Sequence, residues 1–166
     1  MEFFSRLFRH IFTSSRSTQR YFNDAALKRI EQAIATSEET HSGQIRFIVE
    51  TALAPLALYQ GQSAQERALE VFSLFRVWDT ADNNGVLIYL LMADHDFEII
   101  ADRNIHQKVG QAFWGSVCHE METHLKKGQF EAGVLLGIEL IHQALREHFP
   151  AQTITPNELP DQPIII

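Results

Sequence analysis

Acidic and amide side chains gather in three short stretches of this chain. They are Glu38 and Glu39; Asp79, Thr80, Asp82, Asn83 and Asn84; and Asp102, Arg103 and Asn104. Oxygen donors supplied by several loops are what hard divalent cations such as calcium or magnesium require. Glu38, Asp79, Thr80, Asn84 and Asp102 are the candidate metal ligands. The competing explanation is local, because Asp, Asn and Thr also start turns and cap helices, and Asn104 reads as an N-cap. Other motifs fail on spacing. His119 and His124 stand five apart, which turns their rings roughly 140° from each other on a helix, whereas a helical zinc pair needs i and i+4. Asp94-x-Asp96-x-Glu98 begins like a calcium loop but carries Ile99 where glycine is needed. Cys118 is the sole cysteine, so an internal disulfide and a cysteine-based zinc cluster are both excluded. It reads as a small buried hydrophobe.

Whether the three stretches meet depends on the elements that carry them. Leu27, Ile30 and Ile34 give the buried stripe of a helix opened by Asn23. Ile45–Val49 is a β-branched strand, and Ser63-Ala-Gln-Glu66 is a capping box that opens a second helix. Val86–Met92 is apolar at every position, as a strand buried on both faces should be, and Phe97–Ala101 is its hairpin partner. Two further helices follow. The first runs from near Asn104 to Gly128 with Val109, Phe113, Val117, Met121 and Leu125 inward; the second carries Val134, Ile138, Ile141, Leu145 and Phe149. This order predicts a three-layer α/β/α sandwich around a small mixed β-sheet.

A strand–helix–strand unit makes a parallel crossover. The strands at 45–50 and 85–92 therefore start at one end of the sheet, and the antiparallel third strand finishes there. The three polar stretches converge on that end. The opposite, carboxyl end is where open α/β sheets more often bind ligands. It offers Glu50, Thr51 and Asp94.

The 166 residues make one domain at residues 23–150, with flanking segments at 1–22 and 151–166. Residues 3–12 hold Phe3, Phe4, Leu7, Phe8, Ile11 and Phe12 on one half of a helical wheel, and Ser5, Arg6, Arg9 and His10 on the other. This amphipathic arm either docks on the domain, binds a partner protein or rests on a membrane surface. Thr13–Arg20 reads as a linker. Residues 151–166 read as a proline-containing tail whose contacts are not legible. Residues 1–20 carry a net +3 (four arginines against Glu2) within a chain of −7, which leaves −10 on the rest. An acidic body argues against a nucleic-acid binder. No apolar run reaches the ~20 residues of a membrane span, and no signal-peptide pattern is visible, so the expected location is the cytoplasm.

Glu38-Glu-Thr-His-Ser42-Gly43-Gln-Ile45-Arg-Phe, Asn84-Gly85-Val-Leu-Ile-Tyr89 and Ile100-Ala-Asp102-Arg-Asn-Ile105 closely resemble the TPM-domain family of thylakoid-lumen, photosystem II repair and many bacterial proteins. Phe113-Trp114, Gly128-Gln-Phe130-Glu-Ala-Gly133 and His148-Phe-Pro150 extend the resemblance over roughly residues 23–160. Asn157-Glu-Leu-Pro160 resembles the tail of a stand-alone, soluble bacterial subgroup. The resemblance implies an α/β/α sandwich and either calcium binding or acid phosphatase activity. It places Glu38, Asn84, Asp102 and, less firmly, Thr80 on family motif positions. Asp79 and Asp82 are particular to this chain. Asn83 stands where many relatives carry arginine, which weakens the case for a phosphate ligand.

Three functions follow as expectations. The first is a non-catalytic, divalent-cation-binding module with a maintenance or stress-related role. The second is a metal-dependent phosphatase built on Asp102 and Asp79. The third is a membrane-surface adaptor acting through residues 1–20.

Overall fold

The computed structural model describes residues 2–151 and 156–166, with the side chains of residues 2 and 3 and all of residues 152–155 outside the description. The elements, in order, are α1 (Glu2–Phe12), α2 (Ser15–Tyr21), α3 (Asp24–Glu38), β1 (Gln44–Glu50), α4 (Pro55–Tyr59), α5 (Ala64–Leu74), β2 (Gly85–Leu91), β3 (Asp96–Ala101), α6 (Arg103–Val109), α7 (Gln111–Leu125), α8 (Phe130–His148) and β4 (Ile164–Ile165). The sheet order is β3-β2-β1-β4. β1 is parallel to β2, with Gln44 opposite Gly85 and Glu50 opposite Leu91, and β3 runs antiparallel to β2.

Every residue of β1 and β2 is buried, so apolar helices must cover both faces of the sheet. On one face Ile45, Phe47, Val49, Val86, Ile88 and Leu90 pack against Ile30 and Ile34 of α3, Val117 and Met121 of α7, and Val134, Ile138 and Ile141 of α8. On the other, Ile48, Leu87, Tyr89 and Leu91 pack against Leu58 of α4, Ala68 and Val71 of α5, and Leu159. This is the three-layer α/β/α sandwich with a mixed sheet that the order of elements predicts. Among the described residues no helix is long and apolar enough to cross a membrane.

Four local expectations are corrected. The linker at Thr13–Arg20 is largely the helix α2, because Ser14 and Ser17 cap each other reciprocally and Thr18 is buried with its hydroxyl 3.0 Å from that of Thr51. Between β1 and α5 the chain also forms the short helix α4, with Pro55 at its first turn. The single helix expected from Asn104 to Gly128 is broken at Gly110, whose φ of 77° is a conformation glycine adopts at little cost. The N-cap of α6 is Asp102, whose carboxylate accepts from the Arg103 amide, and not Asn104. The C-terminal segment, whose contacts are not legible in sequence, ends as a fourth strand. Ile164 and Ile165 pair in parallel with Ile48 and Val49.

One close approach sets the position of β2. A Cβ on Gly85 would stand 2.0 Å from the carbonyl oxygen of Val77, a main-chain atom that cannot turn aside. Gly85→Ala is therefore expected to cost roughly 3 kcal/mol or more, read as a lowered urea midpoint with an unchanged m-value.

Candidate functional site

At the amino end of the parallel strands, the segments 83–85 and 102–104 continue the β2–β3 pairing beyond the strands. The Asp102 amide donates to the Gly85 carbonyl at 2.9 Å, and the Asn104 amide donates to the Asn83 carbonyl at 3.1 Å. Asn83 adopts a positive φ of 51° at this point, a conformation asparagine tolerates better than most residues. The facing segments thus set Asp102 opposite Gly85, one residue along from Asn84. Asn84 and Asp102 are both buried.

Their hydrogen bonding is incomplete. Asn84 Nδ2 donates to Ser42 Oγ at 3.2 Å, and Asp102 Oδ1 accepts from the Arg103 amide at 2.7 Å. Asn84 Oδ1 and Asp102 Oδ2 are buried with no hydrogen-bond partner. Such atoms are rare in folded proteins, and each calls for a physical account: an ion, a water or a catalytic task.

The surrounding groups hold the loops. Thr80 Oγ1 accepts from the Asn84 amide at 3.1 Å, and Ser42 Oγ donates to Asp82 at 3.1 Å. Asn104 Nδ2 donates to the Asp82 carbonyl at 2.9 Å, and Arg103 reaches Asn83 Oδ1 at 3.1 Å. His41 anchors the same region from beneath. Its fully buried ring lies 3.0 Å from the Gly43 carbonyl through Nδ1, and burial together with the neighbouring His142 lowers its pKa to about 4. The imidazole is therefore neutral near pH 7.

Of the five candidate ligands, Thr80 bonds Asn84, and Asp102 lies on the facing segment. Glu38 sits at the same end of the sheet, but its carboxyl accepts from the Ile45 amide at 2.7 Å. Asp79 is half exposed and bound by Arg76 at 2.7 Å. Among the described residues no group of three or more His, Cys, Asp or Glu side chains is arranged to hold a metal ion. Any cation here must therefore draw largely on neutral oxygens and water.

The tail contributes what sequence reasoning missed. Glu158 accepts from the Ala81 amide at 2.8 Å and so clamps the polar loop, while Gln44 accepts from the amides of Glu158 and Leu159. Arg46 donates to the carbonyls of Pro160 and Gln162. A polar residue alternating with apolar ones in β1 (Gln44, Arg46) was the available signal that something polar lies against that face.

The carboxyl end is closed. Glu50 accepts from Arg67 and from the Tyr89 hydroxyl, each at 2.8 Å, Thr51 meets Thr18, and Asp94 is bound by α1. The rival binding edge is thus filled by the protein's own side chains.

A three-layer α/β/α domain with a polar, incompletely satisfied corner at the amino end of its central strands is the class these observations define. The TPM domain model matches residues 16–144, and the chain belongs to that family. Among solved structures it is similar to the BA42 protein of the psychrophilic bacterium Bizionia argentinensis, with 30% identity and a TM-score of 0.76 over 86% of this chain and 93% of that one. It shares the fold of the N-terminal domain of a P. gingivalis protein, with 14% identity and a TM-score of 0.61 over 79% of this chain and 82% of that one. A search of curated proteins finds no match.

Burial raises the Glu38 carboxyl to about 8; the Ile45 amide opposes this and the nearby Asp161 charge adds to it. The folded state therefore holds a proton that the unfolded chain releases near its ordinary value of 4.5. The resulting stability is full below pH 4.5 and is lost as pH rises toward about 8. Glu38→Gln, which stays neutral and keeps an acceptor for Ile45, is expected to flatten the decline in urea midpoint between pH 5 and 9.

Proposed function

We propose that this protein is a divalent-cation-binding module, taking calcium or magnesium at the corner formed by Asn84 and Asp102, without turnover of its own. The observation that supports this reading is the pair of buried, unpartnered oxygens, Asn84 Oδ1 and Asp102 Oδ2. A hard cation takes such oxygens at 2.0–2.6 Å and completes its shell with carbonyls and water. With Asp102 as the one carboxylate of the pair, the charge at the ion is small. Affinity then falls in the weak range, on the order of 10⁻⁴–10⁻³ M. Thr80 holds the Asn84 amide, and Ser42 orients the Asn84 amide group so that its oxygen is left for the ion. Glu38 and Asp79 serve as neighbours of the site rather than as ligands. A maintenance or stress-related role in the cytoplasm is part of the same proposal.

The test is a titration of the folded protein with Ca²⁺ and with Mg²⁺, followed by amide NMR and thermal unfolding. The expected result is saturable shifts confined to residues 42, 80–85 and 102–104. A ligand bound only by the native state should add about 1.4 kcal/mol of stability at ten times Kd. Asp102→Asn should weaken binding at least tenfold, since it removes the charge at the ion. Absence of shifts there at 10 mM of either ion would overturn the proposal. Hydrolysis of an aryl phosphate by the wild type, lost in Asp102→Asn, would replace the module with the phosphatase.

A further inference from the structure

The helix α1 is docked the opposite way round from an ordinary surface helix. Its cationic side faces the domain. Arg6 Nε and Arg9 donate to the two oxygens of Asp94 at 2.8 and 3.0 Å, and a second Arg6 nitrogen donates to the Gln62 carbonyl at 2.8 Å. His10 is buried, accepts the Leu53 amide on Nδ1 at 2.9 Å, and holds Nε2 3.2 Å from Asp94. Since Nδ1 is the acceptor, the ring proton sits on Nε2, toward the carboxylate. Leu7 packs into the second core cluster. The helix is therefore fixed in orientation by directional, partly buried contacts.

What this leaves outward is apolar. Phe8, Ile11 and Phe12 are 58%, 60% and 76% exposed, and the rings of Phe8 and Phe12 stack with centroids 6.0 Å apart and planes 6° from parallel. On the neighbouring α4, Leu56 and Tyr59 are exposed as well. Arg16 and Arg20 on the following helix α2 are exposed too. Solvent-facing phenylalanines in succession are costly unless something covers them.

We propose that the outward face of α1 is a membrane-surface anchor that inserts Phe8, Ile11 and Phe12 at the headgroup boundary of anionic lipid, with Arg16 and Arg20 of α2 meeting the headgroups. Two observations favour lipid over a protein occupant. The first is charge, since the α1–α2 segment together with its partner Asp94 carries +2 against −9 on the rest, so an anionic surface attracts this segment and repels the rest of the molecule. The second is area. A helix of 11 residues is about 16 Å long and offers on the order of 200 Å² on one face. A stable second copy needs about 800 Å² per partner. A lipid surface has no such threshold, because insertion depth and charge share the attraction.

Orientation follows. Asp94 lies just beyond the carboxyl end of β2 and Asn84 just before its amino end. The seven residues of β2 separate the anchor from the Asn84–Asp102 corner by about 23 Å. The bound protein would hold that corner toward the aqueous side. This inference does not depend on the cation reading.

The full chain is co-sedimented at ~50 mM salt with vesicles of phosphatidylcholine alone and with vesicles containing 30% phosphatidylglycerol, a composition chosen at about one anionic lipid in three. The expected result is binding to the anionic vesicles that exceeds binding to the neutral ones at least fivefold and falls with added salt. Phe8→Ser with Phe12→Ser should lower the partition coefficient at least tenfold while amide NMR shows the fold intact, because both side chains are exposed. Arg16→Glu with Arg20→Glu should bring anionic binding down to the neutral level. Failure of the wild type to bind, or equal binding by the Phe8/Phe12 variant, overturns the proposal. A dimer in sedimentation equilibrium that the Phe8/Phe12 variant abolishes, with vesicles left unbound, would assign the face to a second copy instead.

Discussion

Two adjacent parallel strands without a single exposed residue are the constraint on which the rest of the structure depends. Seven residues of β1 and seven of β2 lie out of water, so neither face of the sheet can be left to solvent. α3, α7 and α8 supply one cover, and α4 and α5 supply the other. Because the strand interiors are committed to packing, polar chemistry is confined to the two ends of the sheet. Gly85 marks the closest point of this packing, where β2 runs directly against the Val77 carbonyl and no side chain fits.

Three polar residues nevertheless lie on β1, all on the same side. Gln44, Arg46 and Glu50 are buried, and a buried polar group needs a partner. The structure satisfies them from distant parts of the chain. Gln44 and Arg46 take the main chain of residues 158–162, and Glu50 takes Arg67 and Tyr89. The C-terminal segment is held across the sheet by these bonds before it ends as β4. Its Glu158 then reaches the polar loop at Ala81, so the arginine and glutamine of β1 indirectly position the candidate site.

The two ends of the sheet differ for a reason that can be stated in hydrogen bonds. At the carboxyl end, burial pushes the Asp94 carboxyl up, yet the Arg6 hydrogen bond, the adjacent His10 and the Arg6 charge bring it below its ordinary value. Glu50, Thr51 and Asp94 each have a partner there. At the amino end, Asn84 donates one side-chain bond and Asp102 accepts one, and Asn84 Oδ1 and Asp102 Oδ2 remain without partners. The closed end holds the N-terminal arm, and the amino end keeps two unpartnered oxygens.

Patterns within single elements were legible in sequence. The period of Leu27, Ile30 and Ile34, the unbroken apolar run of Val86–Met92 and the capping box at Ser63 each depend on neighbours a few residues away, and the layered fold followed from their order. The convergence of the loops before β1, before β2 and after β3 was legible too, since parallel and antiparallel pairing fixes which strand ends meet. Which side chains in those loops are used up was not. Glu38 is taken by Ile45 and Asp79 by Arg76, while Asn84 and Asp102 keep free oxygens, and this sorting depends on distances that spacing does not encode. The same limit governs the flanks. Sequence determined that residues 3–12 form an amphipathic helix, and such a helix ordinarily turns its apolar half to the domain. Only the placement of Asp94 at the end of β2, beside Gln62 and Leu53, decided that the cationic half turns inward. Directional, charge-assisted bonds to one partly buried carboxylate hold that orientation and leave Phe8, Ile11 and Phe12 outward.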